Sequence, residues 1–186
     1  IALEGPIDVD LQQLIDEAYA AYSGDAELAP ADEVRASLGD FFRGRFRAML
    51  KDAHGGDVVD ACLGAWDGTS LRDLRSRIEA VSELGAAPEF EALAVAFKRA
   101  FNITKESARG VVDPALLEAG AERALAEQFE TVRDQIREAT DERRYADALK
   151  LVAKELGAPI DRFFEEVFVM VDDARIRENR LRLLGE

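Results

Sequence analysis

The residues of this sequence that could carry chemistry are cations and aromatic side chains rather than the groups of a catalytic site. Histidine and cysteine each occur once, as His54 and Cys62. They cannot form an internal disulfide, or a zinc site without carboxylate ligands, and no second imidazole exists for a proton relay. Glu165 and Glu166 are adjacent, so a helix would point them apart. No glycine-rich phosphate loop is present. The sequence therefore predicts no active site in this chain.

The first candidate for ligand binding is a cationic ridge formed by Arg43, Arg47 and Lys51. These residues lie four positions apart, so they share one face of a helix. Arginine and lysine presented in this way are suited to contacting phosphates. The alternative is a solvated face whose charges are balanced by acids on neighbouring helices.

A second candidate follows at residues 98–103. Lys98 and Arg99 stand near the predicted end of a helix, where cations favourably meet the helix dipole, and Asn102 suits a cap. A functional interpretation adds Asn102 as a contact to base edges and Phe101 as a stacking surface. Periodicity alone instead favours Phe101 as a core residue. In a third basic run, residues 175–182, we expect Arg180 to hold carbonyls or an acid, with phosphate contact as the alternative.

Three conspicuous residues have structural explanations. His54 precedes Gly55 at a predicted helix end and is interpreted as a C-terminal cap contact. Cys62 lies on an apolar helical face, which predicts a packing residue. Trp66 stands near a helix end and is predicted to anchor a core.

The distribution of charge leaves nucleic-acid binding open although the net charge is −14. Four windows (35–51, 72–77, 98–109 and 175–182) each contain several basic residues and a single acidic one. An acidic body with local basic windows can still steer a polyanion to one face. We expect the four windows to converge on one face if the ligand is RNA, and to scatter if the chain only docks on a protein.

The elements that must position these residues are helical. Apolar residues recur at three and four positions almost throughout, without strict alternation. The stretch 163–171 has a strand-like composition, but its flanks favour a buried helix. The predicted helices are 11–22, 30–53, 58–66, 70–84, 89–103, 114–141, 142–156, 160–170 and 173–184, with Pro30 at the start of the second, Pro88 before the fifth and a loop at 104–113. The fold class is therefore all-α, a bundle of eight or nine helices.

Length and composition place these helices in a globular chain. Its 186 residues form one large domain or two small ones, and no apolar stretch is long enough to span a membrane. The first residue is Ile1 rather than Met, which we interpret as an excised piece of a longer protein. A single cysteine fits a reducing compartment, so a cytoplasmic location is expected.

Five segments in order resemble the C-terminal part of the β subunit of bacterial heterotetrameric glycyl-tRNA synthetase. They are residues 41–45 (FFRGR), 57–61 (DVVDA), 98–103 (KRAFNI), 113–117 with 122–125 (DPALL, ERAL), and 159–173 with 177–184 (PIDRFFEEVFVMVDD, RENRLRLL). The last segment is the most specific. Among the departures from the family pattern, Gly44 replaces an acid, Ala100 replaces Val, and Phe97 stands where a polar residue is expected.

The resemblance implies an all-helical domain that binds the tRNA anticodon. It is similar to the domain of arginyl-tRNA synthetases that is named for an Asp-Ala-Leu-Arg run, and Asp147-Ala148-Leu149-Lys150 stands in the corresponding region here. Residues 31–186 would form this domain, and residues 1–30 a helical linker from a missing upstream domain. The implied tRNA contacts are Arg43, Arg47, Lys51, Lys98, Arg99 and Asn102, with a nearby Asp or Glu as a further possible acceptor for cytosine amines.

The same resemblance implies that catalysis lies elsewhere in the enzyme. The α subunit of the α2β2 synthetase carries the site that uses ATP, with Mg, and glycine to make glycyl-tRNA. This chain would contribute no catalytic residue, metal ligand or cofactor site. Its expected partners are tRNA(Gly) and the α subunit, with neither a membrane nor DNA.

Two alternatives remain from the sequence. The chain could be a non-catalytic helical module that docks on a partner protein, with its basic windows merely part of the surface. It could also be the related anticodon domain of an arginyl enzyme, which the segment from Phe163 to Leu184 fits less well.

Overall fold

The structure is a computed structural model that describes residues 8–22, 24, 28–87, 90–105 and 110–185. Within these residues the chain forms eight α-helices, one short 3₁₀ helix and no strand, which confirms the predicted all-α class. The helices are α1 (Leu11–Tyr22), α2 (Ala31–His54), α3 (Gly56–Ala65), α4 (Leu71–Gly85), α5 (Phe90–Thr104), the 3₁₀ helix Pro114–Leu116, α6 (Ala121–Asp141), α7 (Tyr145–Glu166) and α8 (Ala174–Gly185). The chain divides into two compact units, residues 1–83 and 84–186.

The first unit is built around the long helix α2. Phe46 from α2 packs edge-on against Trp66, which follows α3, and both are buried with Leu74 and Ile78 of α4. Leu11 of α1 joins the same core. Burial of these apolar side chains is the main term that stabilises the unit, because each removes its surface from water.

Local signals set where the helices of this unit begin and end. Gly55 has φ +82°, a conformation that glycine adopts without strain, and its N–H donates to Lys51 O at the end of α2. Ser70 caps α4, which begins one residue after the predicted start, since its Oγ accepts from Asp73 N at 3.0 Å. The predicted start of α3 at residue 58 is wrong: the helix begins at Gly56, so Asp57 lies in its first turn.

The second unit packs α5 against α7 and α8, with α6 and α7 as an antiparallel pair. Its core contains Phe163 with no exposed surface, together with Leu125, Val169 and Leu183. Val169 belongs to the non-helical segment between α7 and α8, so this connection is part of the core. The start of α8 is capped by Asp173, whose carboxylate accepts from Arg175 N.

The structure corrects two predicted boundaries in this unit. Asp113 and Pro114 begin a single 3₁₀ turn rather than a long helix, and α6 starts only at Ala121. Gly120 has φ +99°, which interrupts the helix between the two elements. Pro88 and residues 106–109 of the predicted loop lie outside the described residues.

The second correction concerns α7, which runs without interruption through Gly157 and Pro159. Proline inside a helix costs about 3 kcal/mol, but Leu156 and Phe163 on the same helix are buried. We attribute the continuity to this burial, because most helix stability in proteins comes from tertiary packing. The predicted helix 160–170 is therefore wrong. Its last four residues, 167–170, are not helical, and they include Phe168 at 74% exposure and Met170 at 57%.

None of the described helices combines the length and the apolar character needed to cross a lipid bilayer.

The core assignment of Phe163 can be tested by truncation. Phe163→Ala should lower the free energy of unfolding by about 3–5 kcal/mol, because it removes a fully buried ring and leaves a cavity. Urea denaturation followed by circular dichroism would measure the change. Phe168→Ala is the matched control and should change stability by at most about 0.5 kcal/mol. Equal losses in the two variants would contradict this description of the core.

Candidate nucleic-acid interface

Arg43, the first residue of the predicted cationic ridge, is largely engaged by its own unit. Its Nη2 donates to Trp66 O at 3.1 Å, and its guanidinium carbon lies 5.9 Å from the centre of the Trp66 ring. Asp40 is 3.9 Å from Nη1. These contacts join α2 to the end of α3 and leave the side chain only partly exposed.

Arg47 is held by a carboxylate on the neighbouring helix. Its Nε and Nη2 donate to the two oxygens of Asp60 at 2.5 and 2.8 Å, a bidentate pair between α2 and α3. The guanidinium lowers the pKa of the Asp60 carboxyl, chiefly through these hydrogen bonds. For Arg47, the alternative interpretation of the ridge therefore holds, since an acid on a neighbouring helix balances its charge.

Two further cations of α2 have no carboxylate partner in the part of the chain that the structure describes. Lys51 is exposed at the last turn of the helix. Arg45, which sequence reasoning missed, is exposed four residues after Phe41, whose ring is 59% exposed. The spacing of Phe41 and Arg45 was the signal that could have found it, because side chains four positions apart share a face.

Helix α5 presents a mixed basic and aromatic face to solvent. Leu93 and Ala96 are buried on its inner side. Lys98 and Asn102 are exposed on the opposite side, and Phe101 lies beside them with 67% of its surface exposed. The prediction that Phe101 is a core residue is therefore wrong, because the inner side is taken by residues 93, 96 and 103, which lie about 80°, 140° and 160° around the helix from it.

Arg99 leaves this outer face and packs on the second unit's own core. Its guanidinium carbon lies 4.2 Å from the centre of the Phe164 ring, in a cation–π contact between α5 and α7. The structure therefore brings Lys98 and Asn102 together and directs Arg99 to a separate position.

Two residues of the C-terminal basic run, Arg177 and Arg180, are structural, as expected for Arg180. Only 3% of Arg180 is exposed, and its guanidinium binds Glu122 at 2.9 Å, Glu118 at 2.8 Å and the carbonyl of Phe168 at 3.0 Å. Arg177 donates to Val171 O at 2.7 Å. These bonds attach α8 to the start of α6 and to the segment that follows α7.

The remaining conspicuous residues have structural surroundings. Nδ1 of His54 lies 3.2 Å from Ser82 Oγ, whereas the bond that closes α2 is made by Gly55. Cys62 and Trp66 are buried, which confirms both predictions, and burial raises the pKa of the Cys62 thiol. Among the described residues, no three His, Cys, Asp or Glu side chains are placed to hold a metal ion.

The predicted convergence of the four basic windows stays a prediction. Windows 35–51 and 72–77 lie in the first unit, and 98–109 and 175–182 in the second. Within the first, Arg43 and Arg47 are used internally, and within the last, Arg177 and Arg180 are.

The second unit also matches a known family. The family model of the DALR anticodon binding domain covers residues 93–186, half of the chain, from the first turn of α5 through α8. The chain belongs to this family. The run Asp147-Ala148-Leu149-Lys150 lies in the first turns of α7 of this DALR domain, with Ala148 buried and Asp147 paired with Arg144 at 3.1 Å.

Similarity to individual proteins extends over nearly the whole chain. The chain is 40% identical over 185 residues to the glycine--tRNA ligase beta subunit of Geobacter metallireducens, and 41% identical over 187 residues to that of Desulforudis audaxviator. The beta subunit of Ralstonia nicotianae is 36% identical over 187 residues. Each alignment covers 99% of this chain and 26% of the relative, so the chain spans about a quarter of those proteins. The resemblance expected from the sequence is confirmed.

The buried cluster around Arg180 makes a testable prediction. Arg180→Met should lower the free energy of unfolding by about 3–5 kcal/mol, because it leaves Glu122 buried at 1% exposure without a counter-charge. Combining it with Glu122→Leu should restore much of the loss, since an apolar pair replaces the ion pair. Urea denaturation of the single and double variants would measure the coupling. Additive losses would contradict the assignment.

The Arg47–Asp60 pair makes a second prediction, about pH. Arg47→Ala should raise the pKa of Asp60 toward its ordinary value of 3.8, because the guanidinium stabilises the carboxylate. Any stability from this pair is present above the ordinary pKa of an aspartate and lost as the pH falls through the lowered value in the folded chain. Carboxyl-detected NMR titration of the two proteins would measure the shift. An unchanged pKa would show that the pair does not persist in solution.

Proposed function

We propose that this chain is the part of a glycine–tRNA ligase β subunit that binds the tRNA anticodon. The observation that carries the proposal is the agreement of two matches: the DALR anticodon binding domain over residues 93–186, and glycine--tRNA ligase beta subunits over 99% of the chain. The exposed basic and aromatic face of α5 lies inside the family match and supports it.

The proposed partners follow from the named relatives. The ligand is tRNA(Gly), and the chain acts with an α subunit that carries the ATP- and Mg-dependent glycylation. The described residues offer no metal-ligand cluster, so no step of that reaction is assigned to them. Residues 31–186 are proposed as the anticodon-binding part and residues 1–30 as the linker to it, of which 1–7, 23 and 25–27 lie outside the described residues. We place the enzyme in the cytoplasm.

The chemistry of a single-stranded loop fits the available groups. An anticodon loop presents phosphates and splayed bases, and proteins bind such bases by stacking and by hydrogen bonds along their edges. Lys98 and Lys51 are exposed and lack carboxylate partners among the described residues, so we assign them phosphate contacts. Asn102 carries both an amide donor and an amide acceptor and is assigned a base edge.

The three arginines among the proposed tRNA contacts already make different contacts within the protein. Arg43 and Arg47 would contact phosphate only by sharing or exchanging their bonds to Trp66 O and Asp60. Arg99 would act from its position on the Phe164 ring. We therefore expect these arginines to contribute less to RNA affinity than Lys98, because each new contact replaces an existing one.

Binding of tRNA by the full-length β subunit with its α subunit tests the proposal. Cognate tRNA(Gly) should bind more tightly than a tRNA(Gly) whose anticodon is exchanged, and its affinity should fall with salt. Lys98→Ala should weaken both RNAs alike and reduce the salt slope by about 0.7, as expected for one lost contact to a single strand. Asn102→Ala should weaken only the cognate tRNA. Fluorescence anisotropy across a salt series would measure all three effects.

Lys154→Ala is the matched control, because Lys154 is 80% exposed on α7 and paired with Glu155. It should leave affinity and salt slope unchanged. Equal affinity of the wild-type enzyme for the two tRNAs would refute anticodon recognition, and the protein-docking alternative would then be preferred.

A further inference from the structure

The outer face of α5 exposes two phenyl rings that the fold does not need for its core. Phe97 is 49% exposed and Phe101 is 67% exposed. They are four residues apart on a regular helix, so they lie about 6 Å apart along its axis and on the same side. Their exposure is set by the helix, because Leu93 and Ala96 occupy its buried face.

The surroundings of these rings are basic. Lys98 and Asn102 share the outward side of α5, and Lys105 follows one turn later, its N–H bonded to Phe101 O. On a 100° helical wheel, Lys98, Phe101, Asn102 and Lys105 fall within about 100°. Neither lysine pairs with a carboxylate in the described residues. Within α5 itself the one acidic residue is Glu91, near the opposite end of the helix.

The other exposed aromatic site of the second unit has the opposite charge. Phe168 and Met170 are exposed between Glu165 and Glu166 on one side and Asp172 and Asp173 on the other. Four acids around an apolar pair disfavour a polyanion, because they repel its phosphates. Arg162 pairs with Glu166, and Arg177 and Arg180 bind carbonyls of this segment, so the cations near Phe168 are used within the unit. Of the two sites, the α5 site is the one whose exposed rings lie beside lysines without a carboxylate partner in the described residues.

We propose that Phe97 and Phe101 form a stacking site for unpaired nucleobases of the bound RNA. The proposal rests on the proposed function, and deepens it by assigning a specific surface and mode of contact. Phe101, the more exposed ring, takes the first base on its face. Phe97 supports that base or a neighbouring one. Lys98 and Lys105 bind the flanking phosphates, and Asn102 reaches the edge of the stacked base.

The composition of this face favours RNA over a protein partner. Stacking requires a flat ring that is exposed before binding, and aromatic rings beside cations are the usual combination in sites for single-stranded nucleic acid. A protein-docking site would depend on apolar area, which leucine supplies nearly as well as phenylalanine. The two ligands are therefore separable by the shape of the side chain at position 101.

The experiment compares Phe101→Leu and Phe101→Trp in the full-length β subunit with its α subunit. Phe101→Leu should weaken cognate tRNA(Gly) by about 5- to 150-fold, the range found when one stacking aromatic is removed. Phe101→Trp should retain or improve affinity, because it offers a larger π face. Phe168→Leu is the matched control on an exposed ring and should have no effect. Circular dichroism would confirm that the variants fold.

A second arm uses the same tRNA with a single abasic nucleotide at each anticodon-loop position in turn. At the position that stacks on Phe101, the abasic RNA should bind wild type and Phe101→Leu equally, because the partner of the ring is already absent. The proposal is overturned if Phe101→Leu binds intact tRNA as wild type does, or if its loss is the same with every abasic RNA.

Failure of this inference is distinguishable from failure of the proposed function. If wild type discriminates between anticodons while Phe101→Leu has no effect, only the stacking site is refuted. If wild type does not discriminate between anticodons, the proposed function fails and the stacking site fails with it.

Discussion

The buried guanidinium of Arg180 is the constraint on which the second unit depends. It lies at 3% exposure between Glu122 of α6, Glu118 and the carbonyl of Phe168. A charge in that position is tolerable only because it is paired and hydrogen-bonded. One oxygen of Glu122 is buried without a hydrogen-bond partner among the described residues, so the charge of this carboxylate is compensated mainly by Arg180. Removing either partner would leave an uncompensated buried charge. Arg180 therefore attaches α8 to α6, to the segment before α6 that carries Glu118, and to the segment after α7 that carries Phe168.

The position of α5 follows from this arrangement. Helices α7 and α8 form the surface on which α5 packs, and Arg99 adds a cation–π contact to Phe164 of α7. With its inner side occupied, α5 leaves Lys98, Asn102 and two phenyl rings exposed. Arg43, Arg47, Arg99, Arg177 and Arg180 of the basic windows all make their contacts within their own unit. Lys51, Lys98, Arg45 and the exposed aromatics are the groups left for a ligand.

Sequence patterns predicted the elements whose signals are local. The starts of α4 and α8, each within one residue of the predicted position, the end of α2 at Gly55 and the structural role of Arg180 all followed from residue types and spacing. The errors arose where tertiary packing outweighs local preference. Helix α7 passes through Pro159 with apolar side chains buried on either side of it, which no local rule anticipates. Periodicity placed Phe101 in the core for the same reason, since packing against α7 and α8 determines which side of α5 is buried.

The most direct test of the central claim is to locate the anticodon on the protein. A tRNA(Gly) carrying one photoreactive nucleotide in its anticodon would be cross-linked to the full-length β subunit with its α subunit, and the attached peptide identified by mass spectrometry. We predict attachment within α5 (Phe90–Thr104), with no such attachment from a photoreactive nucleotide placed in the acceptor stem. Attachment of the anticodon nucleotide only to peptides outside residues 31–186 would contradict the claim that this chain holds the anticodon.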